Sequence, residues 1–239
     1  MKKNKWIRSC LLSLILAAIS ISESKADNFV SIAYHDIKDT LEGDQYAVRT
    51  SDLIEQFEYF KMHGYTPVSL DDILQAGSGK KKLPQKAVLI TVDDGLESFY
   101  THFFPLIKAY QFPVVVSLVV SWLEKGGTDL NNISGAQGYK NLKVMTWEQV
   151  QEISQSGLVE IASHSYDLHR GILFNPQGNE FAAGSSFEYN RDSGTYEDRK
   201  SFRKRIFSDL KKSRDIIKEK TGKAPRVIVW PYGQFNQIG

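Results

Sequence analysis

The sequence predicts an α/β protein whose parallel strands form a distorted (β/α) barrel. Short apolar segments alternate with segments of helical periodicity along the chain, which is typical of βαβ units and a parallel sheet. The run Val88–Val92 is almost continuously apolar, as expected for a strand that is covered on both faces. Polar side chains follow several predicted strands, and a barrel gathers such strand ends around one opening. A doubly wound sheet is the alternative, but the positions of these polar residues favour the barrel.

The first 26 residues have the pattern of a signal peptide. Basic residues precede an apolar run from Leu11 to Ile21, and Ser24-Lys25-Ala26 places small residues where a signal peptidase reads them. The run is too short to span a bilayer comfortably, so we expect export with cleavage after Ala26, and a retained anchor is the alternative. The single cysteine, Cys10, lies in this segment. The mature chain would therefore form no disulfide.

The charge balance changes when the predicted signal is removed. The full sequence has 30 Lys and Arg against 28 Asp and Glu. Residues 1–26 contain five of the basic and one of the acidic residues, which leaves 25 basic and 27 acidic residues. The apparent basicity thus belongs mostly to the signal, and no nucleic-acid partner is expected. The remaining residues 27–239 suit one α/β domain with a sizeable core.

Between residues 28 and 84 the chain is predicted to form two strands, each followed by a helix. The strands cover Val30–Tyr34 and Thr66–Val68. Ser69 with Asp72 resembles a capping box that opens a brief helix, which ends in the polar loop 77–84. The longer helix between the strands has a polar cap, one apolar face and a terminal glycine. These residues are Thr50 or Ser51 as the cap, Leu53, Phe57 and Phe60 on the apolar face, and Gly64 as the stop.

Two buried strands are predicted next. The strand Val88–Val92 is followed by a helix over Phe99–Tyr110, in which Pro105 either makes a kink or starts a second part. Phe112–Val120 is the next buried strand. Residues 121–145 are rich in Gly, Asn and Ser and predict a long loop.

The last third of the sequence repeats this alternation. Thr146 with Gln149 predicts a capped helix that stops at Gly157, and Leu158–Ala162 predicts a strand. Residues 165–197 form a long polar segment, which is usually functional or disordered. The remaining predicted elements are the charged helix Arg199–Lys220, its closing Gly222, the strand Arg226–Val229 and the segment Trp230–Gly233.

Adjacent carboxylates and two histidines form the candidate metal site. Asp93 and Asp94 follow a buried strand, where they would repel each other unless a cation or a shared proton offsets the cost. Gly95 lets the chain turn so that both carboxylates face the space above the strand end. His164 and His169 are five residues apart, so a loop must bring their rings together. With one carboxylate they would make a two-histidine, one-carboxylate site with open positions, as a hydrolytic metal needs. A solvated Asp-Asp-Gly turn is the alternative.

The other histidines differ in position. His35 stands at the end of the first predicted strand, on the side where active sites of α/β folds lie. His63 and His102 fall on predicted helices, so we interpret them as ordinary surface residues.

Three blocks of sequence resemble motifs of the NodB-homology polysaccharide deacetylases, carbohydrate esterase family four. Thr91–Gly95 resembles the first motif, with Val92 where phenylalanine is usual. His164–His169 resembles the second, with one extra residue between the histidines. Trp230–Gly233 resembles the third, but Val229 stands where an arginine is common.

The departures from these motifs are similar to one branch of the family. The longer histidine gap, the absent arginine and the strand-end His35 are similar to the deacetylases that act on the β-1,6-linked N-acetylglucosamine exopolysaccharide of biofilms. The resemblance covers about Asn28 to Gly239. It implies a deacetylase domain at residues 27–239 that is incomplete at its C-terminus, with the last barrel strands missing. A chain with such unpaired edges would be marginally stable and prone to association.

The resemblance also implies a role for each motif residue. The family uses a divalent metal ion, and sequence does not distinguish Zn, Ni, Co and Fe. A general base, a general acid for the leaving amine and a backbone N–H for the oxyanion complete the site. The implied residues are Asp94, His164 and His169 as metal ligands, Asp93 as base, His35 as acid and Tyr232 as the N–H donor.

The expected function is removal of N-acetyl groups from that exopolysaccharide in the periplasm. The resemblance leaves open an association with the outer membrane and its exopolysaccharide export machinery. Trp230, Tyr34 and the aromatic residues of 165–197 are candidates for stacking on sugar rings, although Trp230 suits core packing equally well. Two alternatives remain: a metal-dependent esterase on another acetylated glycan, and a glycan-binding barrel that is inactive through truncation.

Overall fold

A computed structural model describes residues 28–41, 44, 46–125 and 143–237. The predicted signal peptide, its cleavage site and Cys10 lie outside these residues, as does most of the predicted loop 121–145. In the part of the chain that is described, no helix is both long enough and apolar enough to cross a membrane.

Eleven strands are defined in the described residues, and most of them are short. They are β1 (Phe29–Tyr34), β2 (Asp36–Lys38), β3 (Ala47–Arg49), β4 (Thr66–Pro67), β5 (Ala87–Val92), β6 (Val114–Leu118), β7 (Val159–Ser163), β8 (Gly171–Leu173), β9 (Glu180–Ala182), β10 (Tyr189–Asn190) and β11 (Thr195–Tyr196). The main sheet is parallel and has the order β1-β5-β6-β7, with β4 paired to the first residues of β5. The predicted α/β class with a parallel sheet is therefore confirmed.

Helices connect the strands of this sheet and cover it. They are α1 (Thr50–Met62), α2 (Leu70–Gly77), a π-helical turn (Phe99–Phe103), α3 (Phe104–Tyr110), α4 (Val120–Glu124), α5 (Trp147–Gln155), α6 (Arg199–Thr221) and a 3₁₀ turn (Pro231–Gly233). Their apolar faces form the main core with the sheet; Phe57 of α1, for example, packs edge-on against Phe103 at a centroid distance of 5.6 Å. Burial of these large side chains is the main stabilisation of the domain.

Most predicted helix boundaries agree with the structure. Both capping boxes are formed, by Ser69 with Asp72 and by Thr146 with Gln149. Pro105 lies in the first turn of α3, after the π-helical turn, so it starts the second part of that helix. The predicted cap of α1 is wrong, because Arg49 occupies the cap position without a side-chain bond. Thr50 is the first helical residue, and its hydroxyl donates to Asp39 instead (2.9 Å).

Two sequence predictions in the C-terminal half need correction. The predicted strand Arg226–Val229 is reduced to a single bridge between Ile228 and Ser163, and the pairing does not extend back along β7. Arg226 is held through its side chain instead, which donates to Glu160 and Asp71. The segment 165–197 is not one irregular loop, since it contains the hairpins β8–β9 and β10–β11. The bridge still extends the main sheet beyond β7 and carries the chain to Trp230.

The two ends of the sheet are β1 and the segment around Ile228. Within the described residues no strand pairing joins them, so the strand order agrees with the predicted barrel class but its closure is not seen. The carboxyl ends of β1, β5, β6 and β7 lie at one edge of the sheet because the strands are parallel in register. That edge is where the candidate site residues emerge.

Candidate metal centre and active site

Three predicted ligands converge at the carboxyl edge of the sheet. The Nε2 atoms of His164 and His169 lie 3.5 Å and 3.4 Å from Oδ1 of Asp94. One ligand atom from each residue can be chosen so that all three lie within 4.8 Å of one another. Asp94 is fully buried and the histidines are 2% and 7% exposed. The loop after β7 thus brings together two rings that a spacing of five residues would hold apart on a regular helix.

Each histidine is oriented by a contact at its other ring nitrogen. Nδ1–H of His164 donates to the backbone carbonyl of Val229 (2.7 Å), and Nδ1 of His169 lies 3.3 Å from the hydroxyl of Tyr232. The edge of Trp122 also packs against His169 at 4.9 Å. The carbonyl contact fixes the tautomer of His164, so that its Nε2 presents a lone pair to the centre, and the hydroxyl contact positions the ring of His169. Val229 stands where the family usually has an arginine, and its backbone carbonyl therefore orients His164.

The turn after β5 exposes the carboxylates to the centre. Asp94 has a left-handed backbone with φ of 74°, and Gly95 follows with φ of 79°. A Cβ on Gly95 would lie 2.8 Å from Leu118 Cδ2, so a larger residue would displace that buried side chain and would also be strained by the positive φ. The two consecutive left-handed residues turn the chain sharply after the pair, as the sequence predicts.

The loop that carries His164 and His169 is held from helix α6. The carboxylate of Asp209 accepts hydrogen bonds from the backbone N–H groups of Tyr166 and Asp167, both at 2.8 Å. Burial raises the pKa of this carboxyl above its usual value. Asp209 lies about forty residues after the motif, and its neighbourhood in the sequence gives no signal of this contact.

Asp93 has a different environment from Asp94. It lines the cavity and is 6% exposed, and its Oδ1 accepts a hydrogen bond of 2.7 Å from the hydroxyl of Ser117. Ser117 is fully buried on β6, in register beside the end of β5. It supplies an orienting contact for Asp93 in a protein whose motif lacks the usual arginine. The sequence analysis missed Ser117, although a serine inside an apolar strand is an available signal.

A cavity of about 810 Å³ opens above these groups. His35, Asp93, His164, His169 and Tyr232 all line it, so the predicted acid, the predicted base and both histidine ligands share one space. His35 emerges directly after β1 and lies 6.1 Å, centroid to centroid, from the ring of Tyr46, which also lines the cavity. Burial raises the pKa of Tyr232 to about 12, so its phenol is neutral at physiological pH.

The candidate stacking residues divide into two groups. Trp230 lines the cavity and also packs against the small core cluster under the β8–β9 hairpin. Tyr34 was a wrong candidate, because it is 4% exposed, donates to Gln56 and packs edge-on against Phe103. Side chains alternate along β1, so Ser31 and Ala33 face the cavity while Tyr34 faces the helices.

The remaining histidines stand apart from the centre, as predicted. His63 is exposed and stacks on Tyr59 at 3.9 Å, and His102 lies 3.8 Å from Asp39. Neither residue lines the cavity.

The converging donor set fits a divalent metal ion. Ligand atoms bound at about 2.1 Å in tetrahedral geometry lie about 3.4 Å apart, which matches the two measured separations. Two imidazoles and one carboxylate suit Zn²⁺ and several other divalent transition metals. Asp94, His164 and His169 would hold the ion, while Asp93 would face it from the cavity.

Comparison with known proteins supports the same family. Residues 80–238 match the model of the polysaccharide deacetylase family. A poly-β-1,6-N-acetyl-D-glucosamine N-deacetylase of Escherichia coli K12 is 38% identical over 98% of this chain, which covers 38% of that relative. A protein of the same name from Staphylococcus epidermidis is 23% identical over 98% of this chain and 69% of its own length. The chain thus spans about two fifths of the length of the Escherichia coli relative.

Solved structures extend the similarity to the fold. A de-N-acetylase from Aggregatibacter actinomycetemcomitans has 39% identity and a TM-score of 0.77, and the match covers 88% of this chain and 81% of that one. The BpsB deacetylase domain from Bordetella bronchiseptica has 39% identity and a TM-score of 0.75, with coverage of 88% and 82%. The family resemblance of the three sequence blocks is therefore confirmed. The chain belongs to the polysaccharide deacetylase family.

Proposed function

We propose that this chain is a metal-dependent hydrolase that removes N-acetyl groups from a β-1,6-linked N-acetylglucosamine polysaccharide. The convergence of Asp94, His164 and His169 beside the cavity that Asp93 lines is the observation that carries this proposal. The names of the relatives in Escherichia coli and Staphylococcus epidermidis support the substrate. A divalent ion held there would supply Lewis acidity, which activates water and polarises the acetyl carbonyl.

The residues around the cavity provide the remaining steps of amide hydrolysis. Asp93 accepts a proton from the attacking water, and Ser117 holds the carboxylate through its other oxygen. The backbone N–H of Tyr232 is the proposed donor to the oxyanion. His35 gives a proton to the departing amine, so the products are acetate and a glucosamine residue. Water adds across the C–N bond, and no further reactant is needed.

The test is incubation of metal-loaded protein with β-1,6-linked N-acetylglucosamine oligomers and measurement of released acetate. We expect acetate release that stops when a chelator removes the metal and returns when the metal is restored. Release from O-acetylated glycans but not from these oligomers would support an esterase instead. Binding of the oligomers with no release of acetate would support a glycan-binding barrel.

Ser117→Ala is expected to lower kcat about tenfold or more while leaving metal content unchanged. The substitution removes a hydrogen bond to a carboxylate, an interaction worth about 1.5–3 kcal/mol, and so loosens Asp93 without touching the three ligands. Acetate release and metal content are measured on the same samples. Ser117→Thr keeps the hydroxyl and is expected to recover part of the rate. Full activity of Ser117→Ala would contradict the orienting role.

We also propose that the protein is exported to the periplasm, since residues 1–26 have the order of a signal peptide. The N-terminal sequence of exported protein is expected to begin at Asp27. Leu14→Arg interrupts the apolar run and should leave the chain unprocessed, which serves as the matched control. Exported protein that begins at Met1 would disprove cleavage. Contact with an outer-membrane export machinery stays a prediction of the family resemblance.

A further inference from the structure

The segment 164–169, which contains both histidine ligands and which we name the metal loop, follows β7 and contains no helix or strand. Its buried backbone groups must therefore find partners outside regular secondary structure. The N–H of Ser165 donates to the hydroxyl of Ser163 (3.1 Å), and the N–H of Leu168 donates to the hydroxyl of Ser165 (3.0 Å). The two other N–H groups between the ligands are bonded from outside the loop.

Asp209 of α6 accepts both of these remaining bonds. Its Oδ1 accepts from the N–H of Tyr166 and its Oδ2 from the N–H of Asp167, each at 2.8 Å. Hydrogen bonds to an ionised acceptor are roughly twice as strong as those between neutral groups. Because each oxygen takes one bond, the carboxylate fixes the direction of two consecutive peptide units between the ligands.

The carbonyl groups of the metal loop are held by a second helix, α4. The N–H of Val120 donates to the carbonyl of Ser165 (3.2 Å), and the N–H of Ser121 donates to the carbonyl of Tyr166 (2.9 Å). The first N–H groups of a helix have no partner within the helix, so they can take these bonds. Contacts from both α4 and α6 thus determine the conformation of the metal loop.

A second contact joins α6 to the start of the metal loop. The hydroxyls of Ser213 and Ser163 lie 2.7 Å apart, and both side chains are buried. Asp209 and Ser213 are four positions apart and therefore lie on the same face of α6. The other buried residues of this helix are apolar, so these two polar groups are the ones that face the loop with hydrogen bonds.

We propose that Asp209 is a positioning residue that sets the affinity of the site for its divalent ion. Ligands that are already in place lose little conformational freedom on binding, so they hold an ion more tightly than the same ligands on a mobile loop. Without the carboxylate, two N–H groups lose their acceptor, and the loop would rearrange to satisfy them. That rearrangement would move the histidines relative to Asp94. The inference rests on the proposed function only because both require a metal ion at this site.

The test measures the dissociation constant for Zn²⁺ of Asp209→Asn and Asp209→Ala by competition with a chromophoric chelator. Asparagine has nearly the same shape, but its NH₂ group cannot accept a hydrogen bond, so one N–H of the loop loses its partner. We expect Zn²⁺ affinity about 10–100-fold below that of the parent, as is usual when an outer contact of a metal site is lost. Asp209→Ala removes both acceptors and is expected to bind more weakly than Asp209→Asn.

Asp215→Asn is the matched control for this test. It makes the same chemical change on the same helix, at a side chain that is 43% exposed and pairs with Lys211 and Arg214. Its Zn²⁺ affinity is expected to equal that of the parent. An equal loss of affinity in this control would overturn the proposal, because the effect would then follow from removal of any carboxylate on α6.

A second measurement separates positioning of the ligands from stability of the fold. The visible absorption of Co²⁺ bound in place of Zn²⁺ reports the arrangement of its ligands. We expect this spectrum to change in Asp209→Asn and to match the parent in Asp215→Asn. Thermal melting of the metal-free variants checks that they are folded, and Asp209→Asn carries the test if Asp209→Ala does not fold. A lower melting temperature with the parent's Zn²⁺ affinity and Co²⁺ spectrum would overturn the proposal, because Asp209 would then stabilise the fold alone.

Failure of this inference and failure of the proposed function give different results. If the parent binds Zn²⁺ but releases no acetate, the hydrolase proposal fails, while the affinity comparison still tests Asp209. If the parent binds Zn²⁺ and releases acetate, and both Asp209 variants match it in affinity and spectrum, only the inference is overturned. A parent chain that binds no divalent ion would overturn both.

Discussion

Asp94→Asn is expected to empty the metal site and abolish acetate release together. The neutral amide lacks the anionic oxygen that lies 3.4 and 3.5 Å from the two histidine nitrogens. Asparagine accepts the left-handed backbone that Asp94 adopts, so the turn itself should survive. Loss of an outer contact already costs about 10–100-fold in metal affinity, and loss of a direct ligand should cost more. Metal content and acetate release are measured on the same samples.

The matched control for this prediction is Asp192→Asn. Asp192 is an exposed residue in the turn between β10 and β11, so the same chemical change there should leave metal content and rate at the parent values. His164→Ala and His169→Ala are expected to behave like Asp94→Asn. Retention of full metal content in all three ligand variants would show that the ion binds elsewhere.

Asp93→Asn is expected to keep the metal and lose the reaction. Asp93 is not one of the three converging ligands, and it lines the cavity. Its Oδ1 accepts from Ser117, a contact that an asparagine oxygen can keep. Loss of a general base costs on the order of 10²–10⁴ in rate. Metal analysis, thermal melting and acetate release on one preparation distinguish this outcome from misfolding.

His35→Ala is a second test of whether the reaction can be lost while the metal is kept, at another residue that lines the cavity. An acid that protonates the leaving amine need not touch the metal, so this variant is also expected to retain metal and lose rate. If Asp93→Asn empties the site while Asp94→Asn keeps it filled, the two carboxylates have been assigned in reverse. Full metal content and full activity in both carboxylate variants would exclude the proposed mechanism.

The sequence could predict those parts of the site that lie in short local motifs. Asp93 and Asp94 follow one apolar run, and their position at a strand end already indicates an active-site edge. The two histidines are brought together by a loop. Their spacing predicts that a loop is needed, but it does not predict the conformation of that loop. Asp209 fixes that loop from α6, and such a contact between distant segments has no local pattern.

In the fold, too, features that depend on neighbouring residues were predicted, and features that depend on distant contacts were not. Capping boxes such as Ser69 with Asp72 are formed as predicted because their partners are three residues apart. Tyr34 was misjudged because both faces of a parallel strand are covered, and alternation alone does not say which face meets helices and which meets the cavity. The strand at Arg226–Val229 was overestimated because an apolar run does not show how many of its residues pair with β7, and in the described residues only Ile228 forms a bridge.

The left-handed backbone at Asp94 has a consequence for engineering this domain. Asp94, Ser165 and Tyr232 are three of the four non-glycine residues with positive φ in the described chain, and all three lie at or beside the metal centre. Sparsely populated backbone conformations of this kind cost on the order of 1–3 kcal/mol each. Glycine at these positions would relieve that cost and at the same time remove a ligand, a turn hydroxyl or a cavity side chain. At Ser165 the gain would be offset, because its buried hydroxyl accepts from the backbone N–H of Leu168 (3.0 Å). At Asp94 and Tyr232 selection for heat resistance alone would favour glycine, and a more durable domain obtained in that way would have lost its chemistry.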